Sequence, residues 1–253
     1  MEQKLNNILN TFSPITLCEM DSVEFMNRVD SKYVFHASLI PTLLNEASTH
    51  YQVLEIDQKR LFNYNTTYFD TELHDMYNMH IQGKLNRQKL RMRIYEITGT
   101  SFLEIKVNTN KGRTIKERIK TWDSAGTVIE TDDFIKTKLP FPIDSLKPAI
   151  TNHFKRITLV SVKSRERLTL DFDLGFEDTA GNRKNLLHIG IAELKRDSRS
   201  GNSRIIDILR SQHIHSMAFS KYCIGSALLN ADFKRNILKP QLLLIEKLQK
   251  QIL

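Results

Sequence analysis

Basic side chains recur at every second position in segment 87–94, which reads Arg-Gln-Lys-Leu-Arg-Met-Arg-Ile. A period of two predicts a β-strand with one cationic face and one apolar face. Arginines two apart on such a strand present parallel guanidinium donors to phosphate oxygens, and lysines add movable point charges. The chemistry that this pattern favours is the binding of a polyanion.

The same alternation recurs in three further segments, 102–107, 114–120 and 165–174. Short turns that contain glycine, at 98–100 and 108–112, link the first three segments as antiparallel hairpins require. A sheet with one solvated face would also alternate, but it would mix Thr, Ser, Gln and Glu among the cations. We therefore expect an antiparallel sheet closed on itself, with its cationic side in a lumen and helices over its apolar side.

The net charge of the chain supports a polyanionic partner. The 253 residues include 37 Lys and Arg against 29 Asp and Glu, a formal charge of +8. Residues 84–120 hold eleven basic and three acidic residues, so this window alone carries an excess equal to that of the whole chain. Composition leaves nucleic acid, a membrane surface and a phosphate ester open as partners. Few aromatic residues accompany the cations, so nucleic acid is not expected.

Helical periodicity lies mainly outside the basic segments. The predicted helices are Ser38–Ala47, Asp132–Lys138, Ser145–Phe154, Ser203–Ser211, Ser220–Asn230 and Pro240–Leu253. No linker or repeat divides the sequence. We expect an α+β fold in one domain over residues 1–253, with a core of about 20–232 and a C-terminal helix over 240–253.

Several classes of protein are excluded by what the sequence lacks. Two cysteines, Cys18 and Cys223, are too few for a disulfide framework, and no uncharged apolar stretch approaches the roughly 18 residues of a membrane span. A cytoplasmic protein without a membrane span is expected. The sequence has no P-loop, G-x-G-x-x-G, G-x-S-x-G or H-E-x-x-H motif, which argues against Rossmann, acyl-transfer and zincin chemistry.

Eight short motifs follow one another along the chain. They are Arg28-Val-Asp-Ser-Lys-Tyr33, Tyr68-Phe-Asp-Thr71, Leu90-Arg-Met-Arg-Ile-Tyr95, Phe102-Leu-Glu-Ile-Lys106, Lys116-Glu-Arg118, Arg167-Leu-Thr-Leu-Asp171, Ala192-Glu-Leu-Lys195 and Phe219-Ser-Lys-Tyr222. The series, from Arg28 to Asn230, resembles the catalytic domain of the vacuolar transporter chaperone (VTC) family of polyphosphate polymerases, which are triphosphate tunnel (CYTH-like) metalloenzymes. The resemblance implies an eight-stranded antiparallel β-barrel whose basic tunnel binds a metal-chelated triphosphate.

The resemblance also implies roles for individual residues. By analogy, the catalytic set is Lys32, Arg91, Arg93, Lys106, Lys116, Arg167 and Lys221, the further substrate-binding residues are Arg28, Arg118, Lys195 and Arg165, and the metal ligands are Glu193 and Glu104. The implied cofactor is Mn²⁺ or Mg²⁺, and the implied partners are ATP and polyphosphate. Cross-strand ion pairs with lysines are the alternative role for the two glutamates.

The implied reaction transfers the γ-phosphate of ATP to a growing polyphosphate chain. The nucleophile would be the terminal phosphate of that chain, so no Ser, Cys or His nucleophile is required. Two alternatives stay open: hydrolysis of triphosphates or nucleotides in the same tunnel, and a non-catalytic module that binds polyphosphate or another polyanion.

The sequence departs from the family pattern at three places. Other tunnel enzymes begin with a Glu-x-Glu-x-Lys strand, whereas here only Asp30 and Lys32 remain of that motif. The eukaryotic polymerases carry a second lysine shortly before the Phe-Ser-Lys motif, where this chain has Met217. Their arginine in the strand before Arg167 has no clear match, and Arg165 is a loose candidate for it.

Overall fold

The computed structural model describes residues 1–21, 28–111, 113–122, 131–197 and 203–251, without the side chains of residues 21, 28 and 122. Within these ranges the strands are β1 (Pro14–Ile15), β2 (Arg28–His36), β3 (Gln52–Leu54), β4 (Phe62–Asp70), β5 (Arg87–Tyr95), β6 (Thr100–Asn108), β7 (Thr114–Trp122), β8 (Lys147–Ser161), β9 (Glu166–Asp178), β10 (Arg183–Leu186) and β11 (Ile189–Asp197). The helices are α1 (Glu2–Leu9), α2 (Leu17–Asp21), α3 (Ile40–Ala47), α4 (Asp75–Ile81), α5 (Asp132–Lys138), α6 (Arg204–Ser211), α7 (Lys221–Leu229) and α8 (Lys239–Gln249).

One antiparallel sheet organises the molecule, with the strand order β2-β11-β9-β8-β4-β5-β6-β7. The short strands β1, β3 and β10 pair outside this path. The predicted eight-stranded antiparallel sheet is therefore confirmed, and β5, β6 and β7 form the predicted meander. Among the described residues no ladder joins β2 to β7, so backbone pairing leaves the sheet open at this seam. Ser216 forms an isolated bridge with Tyr33 of β2.

The apolar side of the sheet is covered by helices, as the alternation predicts. Buried side chains on β2, β8, β9 and β11 pack against α1, α3 and α6 in one core. Leu90 of β5, with Leu103 and Ile105 of β6, packs against Met76 of α4 and Ile135 of α5 in another. Removal of these side chains from water drives the sheet and its helices together.

Helix α7 packs against the opposite side of the sheet at one end of the strands. Its Tyr222 and Ile224 belong to a core that includes Val34 of β2, Ile150 of β8 and Phe176 of β9. A Cβ atom on Gly225 would lie 2.3 Å from the Phe176 ring, so the helix and β9 approach too closely for any larger residue. Helix α7 thus fills one end of the space that the sheet encloses.

The predicted helices are confirmed except one. The prediction over Ser145–Phe154 is wrong, because this segment begins β8 after a short 3₁₀ turn at Ile143–Ser145. Pairing with β4 on one side and β9 on the other fixes it as a central strand, which a single-sequence periodicity does not reveal. Gly112 of the predicted turn and the last two residues of the predicted C-terminal helix lie outside the described ranges. No described helix has the length and apolarity to cross a membrane.

Candidate active site

A cavity of about 870 Å³ lies on the inward-facing side of the sheet. All eight strands of the main order contribute side chains to it, including the two terminal strands β2 and β7. Because the first and last strands line the same space, the sheet curls into a tunnel although its ladder is not closed. The ionised lining side chains are the cations Lys32, Arg87, Lys89, Arg91, Arg93, Lys106, Lys116, Arg156, Arg167, Lys195 and Lys221 and the carboxylates Asp30, Glu104 and Glu193.

The basic window of the sequence only partly becomes the tunnel lining. Six of its eleven cations line the cavity, and the other five, Lys84, Lys111, Arg113, Arg118 and Lys120, are exposed and lie outside the lining. The remaining lining cations come from β2, β8, β9, β11 and α7. The tunnel is therefore built from the whole chain rather than from the window alone.

Glu104 of β6 is clamped between cations of its two neighbouring strands. Its Oε2 accepts a hydrogen bond from Arg91 Nε of β5 at 2.6 Å, and its Oε1 forms an ion pair with Lys116 of β7. Burial alone would raise the pKa of Glu104, but the charges of Arg91, Arg93 and Lys116 outweigh it and lower the pKa to about 2. Glu104 therefore acts as a fixed anion that orients Arg91, and both of its oxygens have cationic partners.

Asp171 of β9 holds a second pair of cations. Arg156 of β8 donates to it from Nε at 2.5 Å and from a terminal nitrogen at 2.7 Å, and Lys221 of α7 completes the triad. Burial would raise the pKa of Asp171, but Arg156 and Lys221 outweigh it and lower the pKa to about 2. The ionised carboxylate fixes the guanidinium of Arg156 in one orientation.

Aromatic rings restrain the guanidinium groups further. Arg156 lies 4.9 Å from the centroid of the Tyr64 ring and 5.2 Å from that of Phe154, and Arg93 lies 5.4 and 5.9 Å from the same two rings. Arg93 Nε also donates to Thr66 Oγ1 at 3.1 Å. Arginines held in this way present donors of fixed geometry to an anion, with little side-chain entropy left to lose.

The lysines are held by fewer contacts than the arginines. Lys32 donates to the Phe219 carbonyl oxygen and Lys89 to Ser220 Oγ, each at 2.8 Å. Burial, and then the charge of Lys32, lower the pKa of Lys106 to about 8. Burial also lowers the pKa of Lys116 to about 8, although Glu104 counteracts it. A bound anion would remove the repulsion that these ammonium groups experience.

Two carboxylates at one end of the tunnel share a single ammonium group. Lys195 Nζ lies 2.7 Å from Glu193 Oε1 and 3.1 Å from Asp30 Oδ2. Burial would raise the pKa of Glu193, but Lys32 and Lys195 outweigh it and hold the pKa well below its usual range. Lys195 contacts Glu193 through Oε1 only, so Oε2 of this ionised carboxylate remains for Mg²⁺ or Mn²⁺, which need only one or two carboxylates when phosphates complete their shell. No cluster of three or more His, Cys, Asp or Glu suited to a metal occurs among the described residues.

The family can be assigned from the sequence as a whole. The family model of the VTC domain matches residues 27–230. The chain belongs to the VTC domain family. No curated protein matches this VTC domain chain.

Solved structures similar to this VTC domain share little sequence with it. A candidate adenylate cyclase from Vibrio parahaemolyticus is 14% identical, with 79% of this chain and 97% of that chain covered and a TM-score of 0.47. A candidate adenylate cyclase from Bacillus halodurans is 15% identical, with 78% and 96% covered and a TM-score of 0.45. A candidate adenylyl cyclase from Hippeastrum, described as having a dominant triphosphatase activity, is 11% identical, with 80% and 96% covered and a TM-score of 0.42. Similarity at this level does not indicate activity.

The VTC domain brings most of the predicted site residues together in the tunnel. These are Lys32, Arg91, Arg93, Glu104, Lys106, Lys116, Arg167, Glu193, Lys195 and Lys221. Arg118 lies outside the lining, with its guanidinium 4.7 Å from the centroid of the Phe102 ring. Arg165 lies in the exposed turn between β8 and β9. Arg28 begins β2, and its side chain lies outside the described part of the structure.

Sequence reasoning missed Arg156, which occupies the strand before Arg167 and lines the tunnel. The sequence does contain a pattern that predicts this strand, because Ile150, Asn152, Phe154 and Arg156 occupy every second position. The helix prediction over part of the segment led us to overlook that pattern. The strand before Arg167 does supply an arginine, Arg156, whereas Arg165 lies in the turn between the two strands. His80 was also missed as a lining residue.

Proposed function

We propose that this VTC domain is a polyphosphate polymerase that transfers the γ-phosphate of ATP to a polyphosphate chain, with Mn²⁺ or Mg²⁺ bound near Glu193. The observation that carries the proposal is the lining of the tunnel, in which eleven cations face one space with three carboxylates. Phosphoryl transfer is catalysed mainly by holding donor and acceptor in line while positive groups neutralise the developing charge. Such a lining suits that task.

The two kinds of cation suit different parts of the reaction. Arg91, Arg93 and Arg156 are fixed by carboxylate, hydroxyl and aromatic partners, so they are suited to orient the transferring phosphate. Lys106 has a movable ammonium group that can follow a chain as it advances. A divalent cation, when bound, would supply further neutralisation of the triphosphate.

Transfer is favoured over hydrolysis by the weak basicity of the carboxylates. Water needs a general base, and an efficient base has a pKa near the working pH. The pKa of Glu104 is about 2, and that of Glu193 is well below its usual range. A polyphosphate acceptor is already anionic and needs no base. The carboxylates of the tunnel are therefore better suited to a phosphate acceptor than to activation of water.

The test is incubation of the purified protein with ATP and Mn²⁺, followed by gel sizing of the product and measurement of released phosphate. We expect a phosphate polymer, and we expect none with Arg156→Ala. The exposed Arg113→Ala is the matched control and is expected to keep synthesis. Phosphate release without polymer would identify a hydrolase instead. Salt-sensitive binding of polyphosphate with no turnover under varied metals and primers would identify a binding module.

A further inference from the structure

His80 lies in the last turn of α4 and lines the tunnel, yet none of the motifs or the proposed roles includes it. The described cations near its ring come from three strands: Arg87 and Lys89 from β5, Lys32 from β2 and Lys106 from β6. Its ring Nδ1 is buried and has no hydrogen-bond partner among the described residues. Because the residue lines the cavity and this nitrogen has no partner in the described part of the protein, a ligand in the tunnel can complete the hydrogen bonding of the ring.

Helix α4 is anchored so that this ring is held in place. Asp70, at the end of β4, accepts hydrogen bonds from the backbone N–H groups of Met76 and Tyr77, both at 2.9 Å, and from the Tyr222 hydroxyl of α7. These contacts connect α4 to both the sheet and α7. The position of His80 is therefore set by the same framework that positions Lys221, the residue before Tyr222.

The cations around His80 determine its protonation. Burial, and then the positive charges on β5, β2 and β6, lower the pKa of His80 to about 3, so its ring is neutral at pH 7. The titratable groups that β4 and α7 place next to Lys89 are the Tyr68 phenol and the Cys223 thiol, neither of which adds positive charge. An anion that neutralises the four cations would remove their part of the shift, and its own negative charge beside the ring would offset the effect of burial, so that protonation of the ring becomes favourable.

We propose that His80 is a further contact for the phosphate chain: on anion entry its ring takes up one proton from solvent and donates a hydrogen bond to a phosphate oxygen. This inference rests on the proposed function, because it assumes that a phosphate chain occupies the tunnel. His80 would then become protonated only when the anion binds, whereas the other cations of the site are lysine and arginine side chains.

The linkage predicts a measurable pH dependence. If the anion offsets both burial and the cations, so that the pKa of His80 returns to its ordinary value of about 6.5 in the complex, the uptake is about half a proton at pH 6.5. Since the complex then binds more protons than the free protein, affinity rises as the pH falls. As the pH falls from 8 to 5.5, protonation of His80 is expected to lower the dissociation constant of the complex by about tenfold.

The test is calorimetric titration of tripolyphosphate, without added metal, at pH 6.5 in two buffers with different ionisation enthalpies. We expect the wild type to take up about half a proton more per bound anion than His80→Gln. His50→Gln, which changes an exposed histidine in the turn after α3, is expected to match the wild type. Equal proton uptake by His80→Gln and the wild type would overturn the inference while leaving the proposed function standing.

A second measurement uses the unmodified ring, in case His80→Gln is poorly folded. The NMR resonances of the His80 ring in the wild type should change from the neutral to the imidazolium form as tripolyphosphate is added at pH 6.5. Resonances that stay neutral at saturation would contradict the inference. A protein that binds no tripolyphosphate at all would overturn both the inference and the proposed function.

Discussion

Replacement of Asp171 by asparagine is expected to destabilise the protein and, at the same time, to tighten its binding of phosphate chains. Asp171 is almost fully buried and neutralises Arg156 and Lys221, both of which line the tunnel. Asparagine keeps the size of the side chain but removes its charge. The two cations would then lie partly buried without an ionic partner, and both would be available to a bound anion.

The expected loss of stability follows from the pKa of Asp171, which falls from an ordinary value of 3.8 to about 2. This difference corresponds to about 2.5 kcal/mol, and removal of one partner of a buried ion pair costs about 3–5 kcal/mol. We therefore expect a decrease of about 2–4 kcal/mol in the free energy of unfolding at pH 7. Because the pKa is lowered on folding, this contribution is present above pH 4 and disappears as the pH falls through 2.

The measurements are urea unfolding and calorimetric titration with tripolyphosphate, both at pH 7. Release of two cations should tighten binding by about tenfold, the equivalent of one charged hydrogen bond of about 1.4 kcal/mol. Asp173→Asn is the matched control, because Asp173 pairs with Lys155 at 2.8 Å and lines no part of the tunnel. Loss of this ion pair should lower the free energy of unfolding by less than about 1 kcal/mol and leave the affinity for tripolyphosphate unchanged. An Asp171→Asn protein as stable as the wild type, or one with weaker binding, would refute the reasoning.

Three further predictions concern the metal, the lysines and the core. Glu193→Gln should abolish binding of Mn²⁺ measured by electron paramagnetic resonance, whereas Glu104→Gln should retain it, since both oxygens of Glu104 are already occupied by cations. The affinity of the wild type for tripolyphosphate should fall between pH 7 and 9, because Lys106, with a pKa of about 8, loses its proton in this range. In calorimetric titrations Lys106→Arg should show a smaller fall in affinity. Gly225→Ala should lower the free energy of unfolding by about 1–3 kcal/mol in urea, because its Cβ would lie 2.3 Å from the Phe176 ring.

The features predictable from the sequence are those encoded locally. Strands β5 to β7 alternate cleanly and are linked by short turns, so the spacing of Arg91, Arg93 and Lys106 is enough to assign them to one face of the sheet. Parity does not, however, say how far along a strand the tunnel extends. Arg118 shares the parity of Lys116, yet it contacts Phe102 and lies outside the lining.

Other features depend on contacts between residues distant in sequence. Arg156 and Lys221 meet at Asp171 from two strands and a helix, a meeting that no local pattern records. His80 lies on a seven-residue helix without a motif of its own, and its surroundings arise only when β2, β5 and β6 come together. Such residues are found only from the structure, because their chemistry depends on neighbours in space and not on a spacing of residue types along the sequence.

The buried carboxylates explain how so many cations can face one cavity. Positive groups in a space of low dielectric constant repel one another strongly, and the lowered pKa values of Lys106 and Lys116 reflect this repulsion as well as burial. Glu104 and Asp171 each form ion pairs with one arginine and one lysine of the tunnel lining. The same carboxylates also compete with a phosphate chain for these cations. Stability of the empty tunnel and affinity for an anion are therefore opposed at these two positions, and the fold keeps enough carboxylate to assemble the tunnel while most of its positive charge stays available to a ligand.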